Sequence, residues 1–430
     1  MKQIYILGGG TVAHIANHLA ISAPAYGNTA VTLASRCFNA WKDNTEEHNP
    51  TAIVNTVFTK MAGGNLETNQ DVADYLNDIK KDANTKIIFL SCALVDFEPT
   101  TFTEIVKDDS CSSATTRLAS KYGHRIESGN VTSVSVELTP AAKIVKSIRE
   151  GRKDIFLVAF KTTCGATPQV MFEKGLKLCK EGSCNLVLVN DTKTRLNMII
   201  TPEEAAYHET TNRREALEKL VEMTYYRSHL TFTQSTVVAG EPVPWSSEEV
   251  PDSLRKVVDY CVAKNAYKPF LNATVGHFAY KVSDTEFLTS IRKSNFNDLA
   301  TTGLVRIKTD GPDTVLAYGA KPSVGGQSQR IVFHDHAGYD CIVHFHCPLR
   351  DQPRDQINTV SQREVECGSH ECGRNTSNNL LEYPEYGLKA VYLDKHGPNI
   401  VFNKGIDPAV VIDFIEANFD LSKKTGGYNV

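Results

Sequence analysis

Short apolar runs separated by helical stretches constrain the fold of this chain more than any other feature. QIYILGG, AVTLAS, KIIFLSCAL, DIFLVAF and CNLVLVN, all in the first half, are rich in β-branched residues and mostly free of charge. That is the signature of strands buried on both faces of a parallel sheet. Between them, helical spacing predicts helices over 11–20, 69–82, 139–150, 168–181 and 212–227. The third is expected to start at Thr139-Pro140, with Thr as cap and Pro at the first helical position. Alternating β and α units imply an α/β, Rossmann-like, doubly wound sheet that binds ligands beyond the carboxyl ends of its strands.

At 430 residues the chain is too long for one ordinary core. The segment AGEPVPWSSEEVP carries three prolines and reads as a linker at 239–251, between domains at 1–238 and 252–430. The second half mixes strands and helices, with KTDGPDTV as a hairpin turn and a closing helix at 407–419. It reads as α/β/α with a mostly antiparallel sheet. A formal net charge of −4 and the lack of basic blocks argue against nucleic-acid partners. The apolar runs fall short of the ~20 residues that a membrane span needs. Eleven scattered cysteines fit reduced thiols, so a cytoplasmic protein without membrane partners is expected.

Gly8, Gly9, Gly10 and Thr11 follow the first strand. Glycines there let backbone N–H groups approach phosphate, and a helix start adds positive potential. With HIANH, SCALVDFEP, HRIES, ELTPAAKIVKSIR, LVAFKTT and CNLVLVND in this order, residues 3–232 resemble the phosphopantothenoylcysteine synthetase family. The resemblance implies a CTP- or ATP-dependent ligase acting with Mg²⁺. It activates a carboxylate as an acyl-nucleotidylate, which an amine then attacks. It implies catalytic roles for Asn17, Arg125 and Lys161, nucleotide contacts at Phe160 and Asn190, and Asp96 facing the nucleotide and able to hold Mg²⁺. The family's Ser-Ser-Gly after the Asn is replaced here by HLAISAPAYG, and its Lys by Arg125.

CIVHFHCPL raises a second site. In a strand His344 and His346 share one face, about 7 Å apart. His396 follows a later strand and completes an open three-ligand set. Spacing alone fits a metal set and unrelated histidines equally well. CIVHFHCP, YLDKHG, KPSVGG and TVGHFAYKV make residues 252–422 resemble the class II aldolase/adducin family. That implies Zn²⁺ on His344, His346 and His396, polarising a carbonyl and stabilising an enediolate in C–C cleavage or epimerisation. Gly325 stands where the family carries its acid/base Glu, and His277 where it has a phosphate-loop Asn. Gln327, Gln329, His334 and His336 are candidate substitutes, and His336 reads equally as a helix-surface residue. A non-catalytic binding or oligomerisation module is the alternative for this half. Cys367, His370 and Cys372 approach metal-ligand spacing without a second pair, so a loop lining the first site is the competing reading. Both resemblances imply small-molecule substrates (a nucleotide, a phosphorylated carboxylate and a sugar phosphate) and a homo-oligomer.

Overall fold

The computed structural model describes residues 1–42, 51–108, 111–270 and 272–425. The chain is mixed α/β and divides into two compact units. The first comprises 1–166, 174–199 and 208–225; the second comprises 167–173, 200–207 and 226–430.

In the first unit five parallel strands form the sheet: Lys2–Gly8, Ala52–Phe58, Thr85–Leu90, Phe156–Thr163 and Leu186–Asp191. In space the order is second, first, third, fourth, fifth. Strands Asn197–Ile200 and Ala206–Thr210 continue the sheet past the fifth. The strand order reverses between Lys2–Gly8 and Thr85–Leu90, and that switch point is where such sheets open a ligand crevice.

Three expectations are corrected. AVTLAS is not a strand but lies inside helix Asn28–Ala40, whose buried Ala30, Leu33 and Cys37 recur at helical spacing. The strand in that interval is AIVNTVF, Ala52–Phe58. The helix expected over 11–20 is instead a hairpin of Val12–Ala16 and Leu19–Ser22. Thr139-Pro140 ends a strand, Ser133–Pro140, which with Phe97–Asp108 and Cys111–Leu118 makes a separate antiparallel sheet. Proline lacks the N–H that further pairing needs, and only Val145–Ile148 of that segment is helical. Helices Asn69–Ile79, Pro168–Glu181 and Arg213–Arg227 stand where helical spacing predicts them.

The second unit holds a ten-stranded, largely antiparallel sheet. At its centre Cys341–His344 lies between His277–Lys281 and Gly397–Phe402. Alternation along these strands splits the core. Phe278, Cys341, Val343 and Ile400 pack with Val257 and Phe414 of helices Asp252–Ala263 and Pro408–Asn418. Ala279, Ile342 and Val401 pack with Val332 and Cys372 of helices Val324–Asp335 and His370–Asn379. By the same two-residue period His277 and His344 belong to the second of these faces. KTDGPDTV does turn a hairpin, between Leu304–Thr309 and Thr314–Tyr318. Residues 239–251 pack within this unit: Val243 and Trp245 are buried, and Val243 exchanges backbone hydrogen bonds with Leu304.

Candidate functional sites

In the first unit the carboxyl ends of the central strands carry Gly8–Thr11, Asp96, Phe160, Lys161 and Asn190, while Asn17 and Arg125 lie elsewhere. Gly8, Gly9 and Gly10 leave the first strand, and Gly10 forms a parallel bridge to Ala93, beyond the third. A Cβ on Gly10 would lie 1.9 Å from the Ala23 carbonyl oxygen, so the glycine is required by the hairpin pressed against it. Thr11 is fully buried, and its hydroxyl donates to Asn69 Oδ1 (2.7 Å) and accepts from the Val95 amide (3.0 Å). Thr11 therefore fixes the loop that leads into Asp96. The Asp96 carboxylate pairs with Lys143 at 2.8 Å. That contact and then the Lys161 charge hold its carboxyl below the usual range. Lys161 is on the adjacent strand end with Phe160, and Asn190 is opposite Thr162 on the next. Lys143, in ELTPAAKIVKSIR, joins this candidate group through its pair with Asp96, and the pattern gave no sign of it.

Asn17 and Arg125 border a second cluster without a contact between their own side chains among the described residues. Asn17 is exposed at the hairpin tip, next to buried Ala16; Arg125 is exposed beside buried Ile126. Ala16 and Ile126 share one small cluster with Ile15 and Phe102, and the Ser120 amide donates to the Ile15 carbonyl. Asp191 was also missed. It accepts from the Thr163 hydroxyl and from the amides of Gly165, Ala166, Lys193 and Thr194, which ties the ends of the fourth and fifth strands. Its carboxyl is held well below the usual range, chiefly by the Thr194 amide.

A cavity of about 580 Å³ lies by Glu67, Asp71, Lys60 and Lys121. Glu67 binds Lys121, Lys60 (2.7 Å) and His14 (3.1 Å), and its carboxyl is lowered to about 2, first by Lys121 and then by Lys60. A lowered folded-state value stabilises the fold above the ordinary carboxylate pKa and is lost as pH falls through the folded one. The Glu67→Gln variant is thus expected to narrow the stability gap to wild type between pH 4.5 and about 2, read by thermal unfolding at each pH.

In the second unit the geometry is more definite. His344, His346 and His396 are buried, and one nitrogen from each falls within 4.8 Å of the others. His344 ends its strand, so His346 lies just past it, and the two do not sit along one strand face as expected. Their ring centroids are nevertheless only 5.1 Å apart, and those of His346 and His396 4.7 Å. His344 Nδ1 donates to the Pro398 carbonyl at 2.8 Å, which fixes the tautomer and leaves the Nε2 lone pair as the ligating atom. That Nε2 is buried without a hydrogen-bond partner among the described residues. Burial pushes the His344 pKa down to about 4, so the ring is neutral at physiological pH. Three buried imidazoles converging on one point, one with an orphaned acceptor, fit an open zinc site. Among the described residues this is the group with such spacing.

His277 stacks on His344 with centroids 4.6 Å apart. Gln329 takes the Thr289 hydroxyl on its Oε1 (3.3 Å) and donates its amide to His277 Nδ1, which leaves His277 Nε2 carrying the proton. The Thr425 amide donates to the His346 carbonyl at 3.1 Å. His336 bonds the Ser377 carbonyl at 3.0 Å, and exposed His334 bonds Asp335, so both serve the helix surface. The side chains of 324–327, including Gly325 and Gln327, fall outside the described residues. The Pro398 carbonyl, a backbone group, had no signal in the side-chain pattern.

Gly397 has φ +144°, and a Cβ there would lie 2.1 Å from the Phe345 carbonyl oxygen. A Gly397→Ala variant is expected to lose about 1–3 kcal/mol of stability and to displace His396 from the triad, weakening any metal binding there. Denaturant titration and metal analysis on one preparation check both.

The fold and the site define an α/β chain in which a doubly wound parallel-sheet unit accompanies a unit with a three-histidine centre. No family model and no curated protein matches the sequence. Solved structures similar to the N-terminal half include phosphopantothenoylcysteine synthetase domains, and those similar to the C-terminal part include class II aldolase-like proteins. The DNA/pantothenate metabolism flavoprotein from Streptococcus pneumoniae is 18% identical, over 52% of this chain and 97% of its own, at a TM-score of 0.40. The C-terminal domain of the coenzyme A biosynthesis bifunctional protein CoaBC is 17% identical, over 52% and 94%, at 0.36. L-fuculose 1-phosphate aldolase is 13% identical, over 40% and 84%, at 0.29. No helix among the described residues is long and apolar enough to cross a membrane.

Proposed function

We propose that the chain is a bifunctional cytoplasmic enzyme: a nucleotide-dependent carboxylate–amine ligase joined to a zinc-dependent, aldolase-like lyase or epimerase. The observation that carries the second activity is the convergence of three buried histidines within 4.8 Å, with the His344 tautomer set by the Pro398 carbonyl. Bound there, zinc supplies Lewis acidity to a substrate carbonyl. The protein's own part is to hold three buried rings together and, through the N–H of neutral His277 Nε2, to offer a donor beside them.

For the ligase, support comes from Asp96, Lys143 and Lys161 meeting beside the sheet's switch point. In this reading Asp96 holds Mg²⁺, Gly8–Thr11, Phe160 and Asn190 contact CTP or ATP, and Asn17, Arg125 and Lys161 act on the carboxylate and the phosphoryl centre. Fixed cations there stabilise charge that develops on the phosphorus. The substrates are small molecules, and a homo-oligomer acts on them.

The test is pyrophosphate release by the purified chain with CTP and with ATP, given 4′-phosphopantothenate and cysteine. Release that requires both co-substrates, reduced about 10²–10³-fold by Lys161→Ala, is expected. Release that ignores the co-substrates, or no release, overturns the ligase. The alternative for the second unit, a binding or oligomerisation module, is favoured by glycine at position 325. It predicts full zinc with no turnover of any sugar phosphate.

A further inference from the structure

A fourth histidine touches the triad without joining it. His277 and His344 are direct partners across the antiparallel strands His277–Lys281 and Cys341–His344, so their side chains leave the same face of the sheet. Their rings stack, with centroids 4.6 Å apart and planes 28° from parallel. The His344 and His396 rings are spaced equally, at 4.6 Å. Yet the convergent group is His344, His346 and His396, and His277 is outside it. Ring spacing alone does not separate the four. What each nitrogen is bonded to does.

The two stacked rings are held by opposite partners. His344 Nδ1 donates to the Pro398 carbonyl at 2.8 Å, so its Nε2 keeps a lone pair. His277 Nδ1 faces an amide instead, and Gln329 Nε2 donates to it. A ring nitrogen that accepts a hydrogen bond carries no proton, so neutral His277 has its proton on Nε2. That nitrogen then has no lone pair to give a metal.

Gln329 is itself fixed. It is 1% exposed, on helix Val324–Asp335, and its Oε1 is 3.3 Å from the Thr289 hydroxyl. The same hydroxyl, fully buried, is 3.1 Å from the Phe278 carbonyl. Thr289 sits between two oxygens and donates to both, which turns the nitrogen of the carboxamide to His277. The order of donors thus runs from Thr289 through Gln329 to the ring and selects one tautomer. A carboxamide does not titrate, so Gln329 does not stand in for an acid or base. It directs a proton instead.

We propose that Gln329 is a positioning residue that keeps His277 off the metal and the three-histidine centre open. The inference rests on the metal reading of that centre. Because Nε2 of His277 is committed to a proton, His344, His346 and His396 are left as the protein's three ligands, and a fourth position stays open. The His277 N–H remains as a hydrogen-bond donor beside a ligand ring, suited to a carbonyl or hydroxyl oxygen. A Gln329→Glu change reverses the order. Its carboxylate accepts from Nδ1–H, and His277 Nε2 gains the lone pair of a fourth ligand.

The test uses the full chain labelled with ¹⁵N-histidine. Long-range ¹H–¹⁵N correlation spectra of metal-free protein read the tautomer of each ring, and His277→Asn identifies the His277 signals by their loss. The expected result is a protonated Nε2 and an unprotonated Nδ1 for His277 in wild type, exchanged in Gln329→Glu. A proton on Nδ1 in wild type overturns the proposal, as does a ring that is charged or averages both tautomers. Cobalt(II) then reports on the centre, with azide as the probe of the open position. Azide should shift the visible band of wild type, and Gln329→Glu should lose that shift. An azide response equal in the two, or absent from wild type, also overturns the proposal. Wild type that binds neither cobalt nor zinc overturns the metal reading and this inference with it, and metal content tells that failure from the others. The wild-type tautomer decides alone if Gln329→Glu does not fold.

Discussion

If the triad holds zinc as proposed, at about one per chain, His344→Ala protein is expected to carry below about a tenth of it, because two imidazoles cannot hold the ion against water. Three features make His344 the most sensitive of the set. Its Nδ1 is committed to the Pro398 carbonyl, its ring stacks on His277, and its Nε2 is the orphaned buried acceptor. Alanine also opens a cavity between the central strands, so the variant is to be compared with His344→Gln, which fills the space. Zinc is read by elemental mass spectrometry after dialysis, together with thermal unfolding with and without added zinc. Wild type should gain stability with zinc, by about 2.7 kcal/mol at a hundredfold excess over Kd, and the variants should not. Stoichiometric zinc retained in both variants would remove the metal centre from the proposed function.

The second large effect lies at Arg227, whose guanidinium is fully buried. Its Nη1 binds both oxygens of Glu203 at 3.2 and 3.1 Å, and Nε and Nη2 donate to the carbonyls of Arg363 and Gln362. A Glu203→Ala change leaves that charge buried without its counter-ion and also strips the acceptor from the Cys367 amide. A loss of about 3–5 kcal/mol is expected, whereas replacing both partners with apolar residues of matching volume should recover much of it. Guanidinium titrations of the single and double variants decide this. Equal losses in both would mean that the carbonyl contacts, rather than the ion pair, hold the segment.

That pair shows why part of the chain could not be read along its length. Glu203 precedes Arg227 by 24 residues, and the loop both of them hold lies about 135 residues further on. No local pattern links such positions. For the same reason the linker expected at 239–251 lies within a packed unit that also takes in residues 200–207.

AVTLAS marks a different limit. A short apolar run fits a buried strand or a helix face equally well by periodicity. What decides is the spacing of Ala30, Leu33 and Cys37, which becomes meaningful once a sheet exists for them to face. Likewise Thr139-Pro140 has the chemistry of a helix start, but pairing with Phe97 takes it into an edge strand.

The amino-acid sequence determined what depends on local chemistry. Uncharged β-branched runs have to be buried on both faces, hence the parallel sheet. TDGPDT has to turn, and helical spacing set Asn69–Ile79, Pro168–Glu181 and Arg213–Arg227. The residue types of both candidate sites, from Gly8–Thr11 and Asp96 to the three histidines, can likewise be picked out along the chain. Tertiary structure decided what depends on distant backbone. It decided which loops meet at the switch point, that Lys143 pairs with the exposed Asp96, and that a proline carbonyl selects the tautomer of His344. Those choices rest on hydrogen-bond partners supplied by strands that meet only after folding, and a carbonyl leaves no mark in the side-chain pattern.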